Sequence, residues 1–501
     1  KKVLNFDQNN YDAWFNIGIV FREYGKYNES LSAFENAIKI NPKNPIIYNH
    51  KGVTLCELGL FNEALICFLN ALKFKHNNLM EVYTNIISTN IDQYHKDQNS
   101  DLSLTKIYAK KILEIDTKNI LALKYLGLSY LYSYEIDNAL KFMHEVFKLE
   151  PDSVDSNYNL GLAYKFNKDL KKSEKYIQKA VDFDSKDSNK LTLAEIQLSQ
   201  NNFTDGWKNY EFRDLKFQKI SSLNFFRPYW EPSMGFGNIC IWREQGLGDA
   251  ILFSTILPDV IKKFNNVHLL VDKRLIKFYQ ENYPDISVYD YFDHNIDQRS
   301  FDYHISLSSL GKYFREDLKD FKNTSTLNVS GKNFNNFNKK LKCGISWRSN
   351  SPVGKHKSIN LESLKVLLEI KNIEFYDIQY TDEDDEIKLI EKKYGFKINK
   401  IENLDTHNDV HGLMQFIKSC DFTVSISNTN AHLSGILGVP TLLLLSKGAG
   451  ALWYWSNEIE GKNLWYPSLK VFQQTTYSDW KDPINNLCAH LKDNFKLELN
   501  Y

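Results

Sequence analysis

The sequence predicts an α-helical repeat solenoid followed by two α/β domains, each built on a parallel sheet. Three observations carry this. Residues recur with a period of 34 over the first two fifths of the chain. From about Asn238, short apolar runs alternate with helical patterns. The alternation then restarts at Cys343, after an Asn- and Lys-rich stretch from Lys332 to Lys342.

The repeat is read from fixed offsets. Trp14, Ile17, Gly18, Phe21, Phe34, Ala37 and Pro42 define a unit, and Tyr48, Lys51, Gly52, Leu55, Phe68 and Ala71 follow 34 residues on. Leu123, Leu126, Gly127, Tyr130, Ala139, Met143 and Pro151 repeat the series, as do Asn157, Leu160, Gly161, Tyr164, Ile177 and Ala180. These offsets resemble the tetratricopeptide repeat (TPR), two antiparallel helices per unit. The glycines admit a close helix partner, and Pro42 and Pro151 end helices that proline cannot continue. Leu79 to Asn119 reads as a divergent repeat with a longer loop, and a partial sixth unit from Asn189 ends in Trp207, Tyr210 and Phe212. That aromatic end is expected to cap the array or dock it onto the neighbouring domain. Such an array offers a concave surface to a peptide or protein, or serves as a spacer or dimerisation arm.

Strands are expected at Ile239–Trp242, Val267–Val271, Ser287–Tyr291 and Tyr303–Ser306, then at Cys343–Trp347, Glu374–Ile378, Phe422–Ile426 and Thr441–Leu445. Helical patterns run from after Asp249 through Phe264, Leu361–Ile370, from Asp382, Val410–Ser419 and Asn430–Leu437. The expected domains are residues 1–215, 216–335 and 336–501. Ligands of open parallel sheets bind beyond the carboxyl ends of the strands, so those loops hold the candidate chemistry.

Composition narrows the partners. The 501 residues are 43% hydrophobic and 14% aromatic, enough for large cores, and 62 basic residues balance 62 acidic ones. Neutrality gives no footprint for duplex nucleic acid or an anionic membrane surface, though a single diphosphate can bind locally. The six cysteines are scattered without C-x-x-C spacing, which argues against a zinc site or disulfide framework and fits the cytoplasm. The longest apolar stretch, Ala431 to Leu445, is interrupted and too short for a bilayer span. The chain opens Lys1-Lys2-Val3 without Met, so a trimmed start is expected, and no signal-peptide core follows.

Three loops stand out. Gly246-Leu247-Gly248-Asp249 follows a strand and opens a helix. A nicotinamide fingerprint, with Asp272 on the ribose, fails at its third glycine, where Ile251 stands. Asp249 is either an N-cap or a carboxylate that deprotonates an acceptor hydroxyl. Arg348 to Ser358 carries Arg348, Lys355, His356 and Lys357 around Gly354, either to neutralise a diphosphate or as a solvated basic loop. Ser425 to His432 places Ser427, Asn428, Thr429, Asn430 and His432 at a helix N-terminus, a ready phosphate site that such residues also cap without a ligand. The aromatic pairs in Trp453-Tyr454-Trp455 and Trp465-Tyr466 stack on a base or sugar, or form core.

Taken in order, W-R-E-Q-G-L-G-D-A-I-L-F (Trp242 to Phe253), G-I-S-W-R-S (Gly344 to Ser349), S-N-T-N-A-H-L-S-G-I-L-G-V-P-T (Ser427 to Thr441), L-W-Y-W (Leu452 to Trp455) and W-Y-P-S-L-K-V-F-Q-Q (Trp465 to Gln474) resemble bacterial TPR proteins with a C-terminal GT-B glycosyltransferase module. That module is similar to the heptosyltransferase-like family and, more distantly, to O-linked N-acetylglucosamine transferases. The resemblance implies a pair of Rossmann-like domains and a metal-independent glycosyltransferase, with a nucleotide-sugar donor as substrate and no cofactor. A protein acceptor would lie on the TPR concave face, making the reaction protein glycosylation. It places the general base on Asp249, beside Gly246 and Gly248. It places donor contacts on Lys357 with Lys355 beside it, on Gln379 and on Ser427 to His432, with Ser427 standing where the family has an acid; the basic-loop reading adds Arg348. The alternative is a partner-binding scaffold whose GT-B module is degenerate.

Overall fold

The structure, a computed structural model, describes residues 8–97, 100–213, 225–292, 296–321, 326–331, 340–351, 353–448 and 450–495. The expected domain boundaries at 215/216 and 335/336, and most of the Lys332 to Lys342 linker, lie outside the described residues. Contacts divide the chain into two compact units, residues 1–184 and 185–501.

In the first unit ten helices form five antiparallel pairs: α1 (Tyr11–Glu23) with α2 (Tyr27–Ile40), α3 (Pro45–Glu57) with α4 (Phe61–Lys73), α5 (Leu79–Lys96) with α6 (Ser103–Ile115), α7 (Ile120–Tyr132) with α8 (Ile136–Leu149), and α9 (Val154–Phe166) with α10 (Leu170–Phe183). The repeated glycines work by close approach. A Cβ on Gly18 would sit 2.6 Å from the Phe34 ring, and one on Gly52 2.5 Å from Phe68. Asn10, Asn44, Asn119 and Ser153 cap the first helices of their pairs through side-chain oxygens. The divergent repeat differs from expectation in one respect: much of its extra length is helix. α5 has 18 residues where α1, α3, α7 and α9 have 13.

The second unit opens with α11 (Asp187–Ser199) and α12 (Phe203–Tyr210), a sixth pair that the sequence reading assigned to the solenoid. Next come β1 (Asn238–Trp242), α13 (Leu247–Ser254), α14 (Leu257–Ile261), β2 (Asn266–Val271), α15 (Ile276–Asn282), β3 (Ser287–Asp290), β4 (Tyr303–Ser306) and the short α16 (Gly311–Phe314). The first sheet is parallel with order β3-β2-β1-β4; Ile239 pairs with Val267 on one side and Tyr303 on the other. Then follow β5 (Leu341–Ser346), α17 (Gly354–Lys357), α18 (Lys365–Leu368), β6 (Ile373–Asp377), α19 (Asp384–Tyr394), β7 (Ile398–Asn399), α20 (Val410–Lys418), β8 (Phe422–Ile426), α21 (Thr429–Ile436), β9 (Thr441–Leu445), the hairpin of β10 (Glu458–Ile459) and β11 (Lys462–Asn463), β12 (Leu469–Gln473) and α22 (Lys481–Phe495). The second sheet, β12-β9-β8-β5-β6-β7, is also parallel. The central strands β1, β8 and β9 are buried on both faces, which is why they read as continuous apolar runs.

Two readings need correction. The helix expected through Phe264 breaks after Ser254, and Leu361–Ile370 is a 3₁₀ turn followed by one α-helical turn. In the first, Ser254 and Thr255 return hydroxyl bonds to carbonyls three residues back, and Pro258 opens the next segment.

The aromatic end of α12 is core. Trp207 is fully buried, donates its indole N–H to the Arg315 carbonyl at 2.8 Å, and meets Trp453, Phe253 and Tyr210 edge-on. A chain starting at residue 185 is therefore expected to give a soluble, cooperatively melting unit. One starting at 216 strips the cover from Trp453, Trp465 and Phe253 and should aggregate. Equal melting temperatures for the two would contradict this assignment.

Candidate active site

The chemistry-bearing loops of the second unit meet where α13 packs on α21. The contact is close because position 248 is glycine: a Cβ there would lie 2.7 Å from the His432 ring. Gly246, not Asp249, is the N-cap of α13. Asp249 sits in the first turn and reaches back to the Gly246 backbone N–H, the geometry of a capping box. Its other oxygen, Oδ1, accepts from the Tyr454 hydroxyl at 3.2 Å. Burial raises the Asp249 pKa to about 6, with Glu244 adding to the rise; Tyr454, Lys357 and the Gly246 N–H oppose it. A carboxyl so placed is ionised at neutral pH yet basic enough to accept a proton.

The basic loop separates into three environments. Arg348 is tied to Glu386 at 2.9 Å and to Glu383 at 3.7 Å, at the acidic start of α19. Lys355 is exposed. Lys357 is buried at 6% exposure; burial lowers its pKa and the Asp249 charge opposes that shift. Among the described residues no hydrogen bond or ion pair engages its ammonium group. Gly354 opens the helical turn α17 and is needed because the Ser349 carbonyl crowds the space a Cβ would fill.

At the start of α21, Asn428 is the N-cap, accepting from the Asn430 N–H at 3.0 Å. Its amide donates to Ser346 at 2.7 Å and to the Arg348 carbonyl at 3.2 Å. Asn430 donates to Ser346 at 3.1 Å and the Ile378 carbonyl at 2.6 Å. Ser427 accepts from the Trp455 indole at 2.9 Å. Gln379 is turned inward: its carbonyl oxygen accepts from Ser346, Trp347 and Arg348 at 2.6, 2.6 and 3.0 Å and so fixes the carboxyl end of β5. Thr429 is half-buried and lines a 260 Å³ cavity with Leu247, Arg274, Asn350, Tyr380 and Asn430. A second cavity of 290 Å³, beyond the end of β6, shares Tyr380, Thr406 and His407 with it and includes Asp377, whose pKa burial raises to about 6. The structure thus gathers Gly246, Gly248, Asp249, Lys357 and the start of α21, while the Arg348 side chain turns to the acidic start of α19.

Sequence reasoning missed three participants. Tyr454 and Tyr466 surround His432: its Nδ1 lies 3.1 Å from the Tyr466 hydroxyl and its Nε2 3.4 Å from that of Tyr454. Their signal was present in L-W-Y-W and W-Y-P, read only as stacking or core. The third is Arg213, whose guanidinium reaches Glu244 at 3.0 Å and Ser309 at 2.6 Å; both ion-pair partners are buried.

Among the described residues no three His, Cys, Asp or Glu side chains converge on a metal-sized space, and no helix is long and apolar enough to cross a membrane.

Comparison with known proteins bears on the helical part. Models of the tetratricopeptide repeat match residues 11–44, 33–66 and 154–187, so the N-terminal region contains tetratricopeptide repeats. Protein FlbA of Caulobacter vibrioides is 23% identical over 335 residues, 60% of this chain and 54% of FlbA. The chain thus spans about half the length of that relative. The crystal structure of YrrB, a TPR protein with an unusual peptide-binding site, matches at 17% identity and a TM-score of 0.33, covering 38% of this chain and 93% of YrrB. That of MamA matches at 22% identity and 0.31, covering 36% and 93%.

Proposed function

We propose that the second unit is a metal-independent GT-B glycosyltransferase that moves a sugar from a nucleotide donor to a protein or peptide held by the TPR array. The observation that carries this reading is the pairing of Asp249, whose pKa burial raises to about 6, with the buried Lys357 at the junction of α13 and α21. Asp249 takes the proton of the acceptor hydroxyl as its oxygen attacks the anomeric carbon. The bond from that carbon to the diphosphate breaks, and its electron pair leaves with the nucleoside diphosphate. Lys357 and the N–H groups opening α21 stabilise the charge that develops there. Ser427 adds no charge where the resembled family carries an acid. The cavities beside Tyr380 offer space for the nucleoside. The TPR helices present the acceptor, the interaction role that such arrays support.

Thermal unfolding with UDP, GDP, ADP and CMP tests the donor site. One nucleotide should raise the melting temperature, and Lys357→Ala should weaken that binding at least tenfold. Stabilisation by none of them favours the second reading, a TPR scaffold with a silent module, to which Ser427 in the acid's place lends support.

A further inference from the structure

Asp249 is not an isolated carboxylate. Tyr454 brings its hydroxyl to 3.2 Å from Asp249 Oδ1 and 3.4 Å from His432 Nε2; His432 Nδ1 lies 3.1 Å from the Tyr466 hydroxyl. All three side chains are buried, at 3% exposure or less. We propose that Tyr466, His432 and Tyr454 form a directional hydrogen-bond relay that ends on Asp249 and holds that carboxylate in place for proton abstraction from the acceptor hydroxyl. The inference rests on the glycosyltransferase reading of the same site.

The direction follows from donor arithmetic. An ionised carboxylate only accepts, so Tyr454 spends its single proton on Asp249. Its oxygen then faces His432 Nε2 as an acceptor, and Nε2 must carry the imidazole proton. In a neutral ring this leaves Nδ1 as the acceptor, and Tyr466 donates to it. Burial, with Lys357 adding, holds His432 neutral by lowering its pKa to about 3, so the chain keeps one polarity wherever Asp249 is ionised, above about pH 6. No bond to hydrogen changes within the relay during transfer. The acceptor proton ends on Asp249, on a lone pair left free by Tyr454 and the Gly246 N–H. Tyr454, His432 and Tyr466 are thus positioning residues, and tyrosine serves where phenylalanine would fill the same core. Lys357 on α17, Glu244 after β1 and Tyr210 on α12 also face Asp249, so the relay sets its basicity jointly with them.

Two measurements on the full chain separate this inference from the activity it rests on. Long-range ¹H–¹⁵N spectra of histidine-labelled protein, with the His432 signal identified by its loss in His432→Gln, should show the neutral Nε2–H tautomer from pH 8 to pH 7, where Asp249 is ionised. The Nδ1–H tautomer, or a titration inside that range, overturns the relay whether or not the protein is an enzyme. Given donor turnover, Tyr454→Phe should move the acid limb of the pH–rate profile up by about one unit, since it removes a hydrogen bond to the ionised form. His432→Gln, which keeps a donor for Tyr454, should move it less than His432→Leu. An unmoved limb in Tyr454→Phe overturns the inference; absence of turnover with every donor overturns the underlying reading instead.

Discussion

Asp249→Asn is expected to lower sugar transfer by about 10²–10⁴-fold while making the protein more stable at pH 8. Both effects have one cause. The folded-state pKa of Asp249 is raised to about 6 from 3.8, so folding favours the protonated carboxyl. The stability that this group contributes is fully present below pH 3.8 and is lost as pH rises through 6. The shift corresponds to at most about 3 kcal/mol at about 1.4 kcal/mol per unit, and partial solvent access at this half-buried site reduces it to about 1–2 kcal/mol. Asparagine keeps the acceptor for Tyr454 and carries no charge, so it relieves that cost. The melting temperature should therefore rise by about 2–4 °C at pH 8. The gain should shrink as pH falls toward 4.5, because the wild-type carboxyl then takes up its proton. An inactive variant that is no more stable at pH 8 would show that the carboxylate is not held under strain for catalysis.

The second large effect is structural. Arg213→Ala should destabilise the second unit by about 3–5 kcal/mol, because it strands Glu244 as a buried charge. Arg213 donates to Glu244 through Nε at 3.3 Å and Nη2 at 3.0 Å, to Glu211 at 2.8 Å and to Ser306 at 2.8 Å. The Ser308 hydroxyl also donates to Glu244, but a hydroxyl cannot neutralise it. Because Glu244 lies between β1 and the Asp249 turn, the loss should reach that turn. Adding Glu244→Gln to Arg213→Ala should recover part of the stability, since the remaining buried group is then uncharged. Urea unfolding followed by tryptophan fluorescence checks both; a single-variant cost under about 1 kcal/mol would contradict the ion pair's structural role.

How much of the molecule is legible in the sequence depends on the range of each interaction. The 34-residue period is local, so each repeat could be read from its own offsets, and Gly18 and Gly52 lie against Phe34 and Phe68 as the pattern requires. The buried strands β1, β8 and β9 announced themselves by unbroken apolar runs. β12 did not, because it is an edge strand with Lys470 exposed, and its alternating pattern is broken by Val471 and Phe472. Asp249, Lys357 and the start of α21 drew notice because they lie in the loops and first helical turns that follow β1, β5 and β8, where such sheets place ligands. Tyr454, Tyr466 and Arg213 were not, because their roles depend on partners far away in the chain, Asp249, His432 and Glu244. Arg348 was visible in its loop, but only the fold shows that it pairs with Glu383 and Glu386 at the start of α19.

The most direct test of the account is to incubate the purified chain with a panel of nucleotide sugars and measure release of the nucleoside diphosphate, with wild type and Asp249→Asn side by side. The account predicts release from one nucleotide sugar by the wild type, rising with pH through about 6, and loss of that release in Asp249→Asn. Release from no donor, or release that Asp249→Asn leaves unchanged, would contradict it.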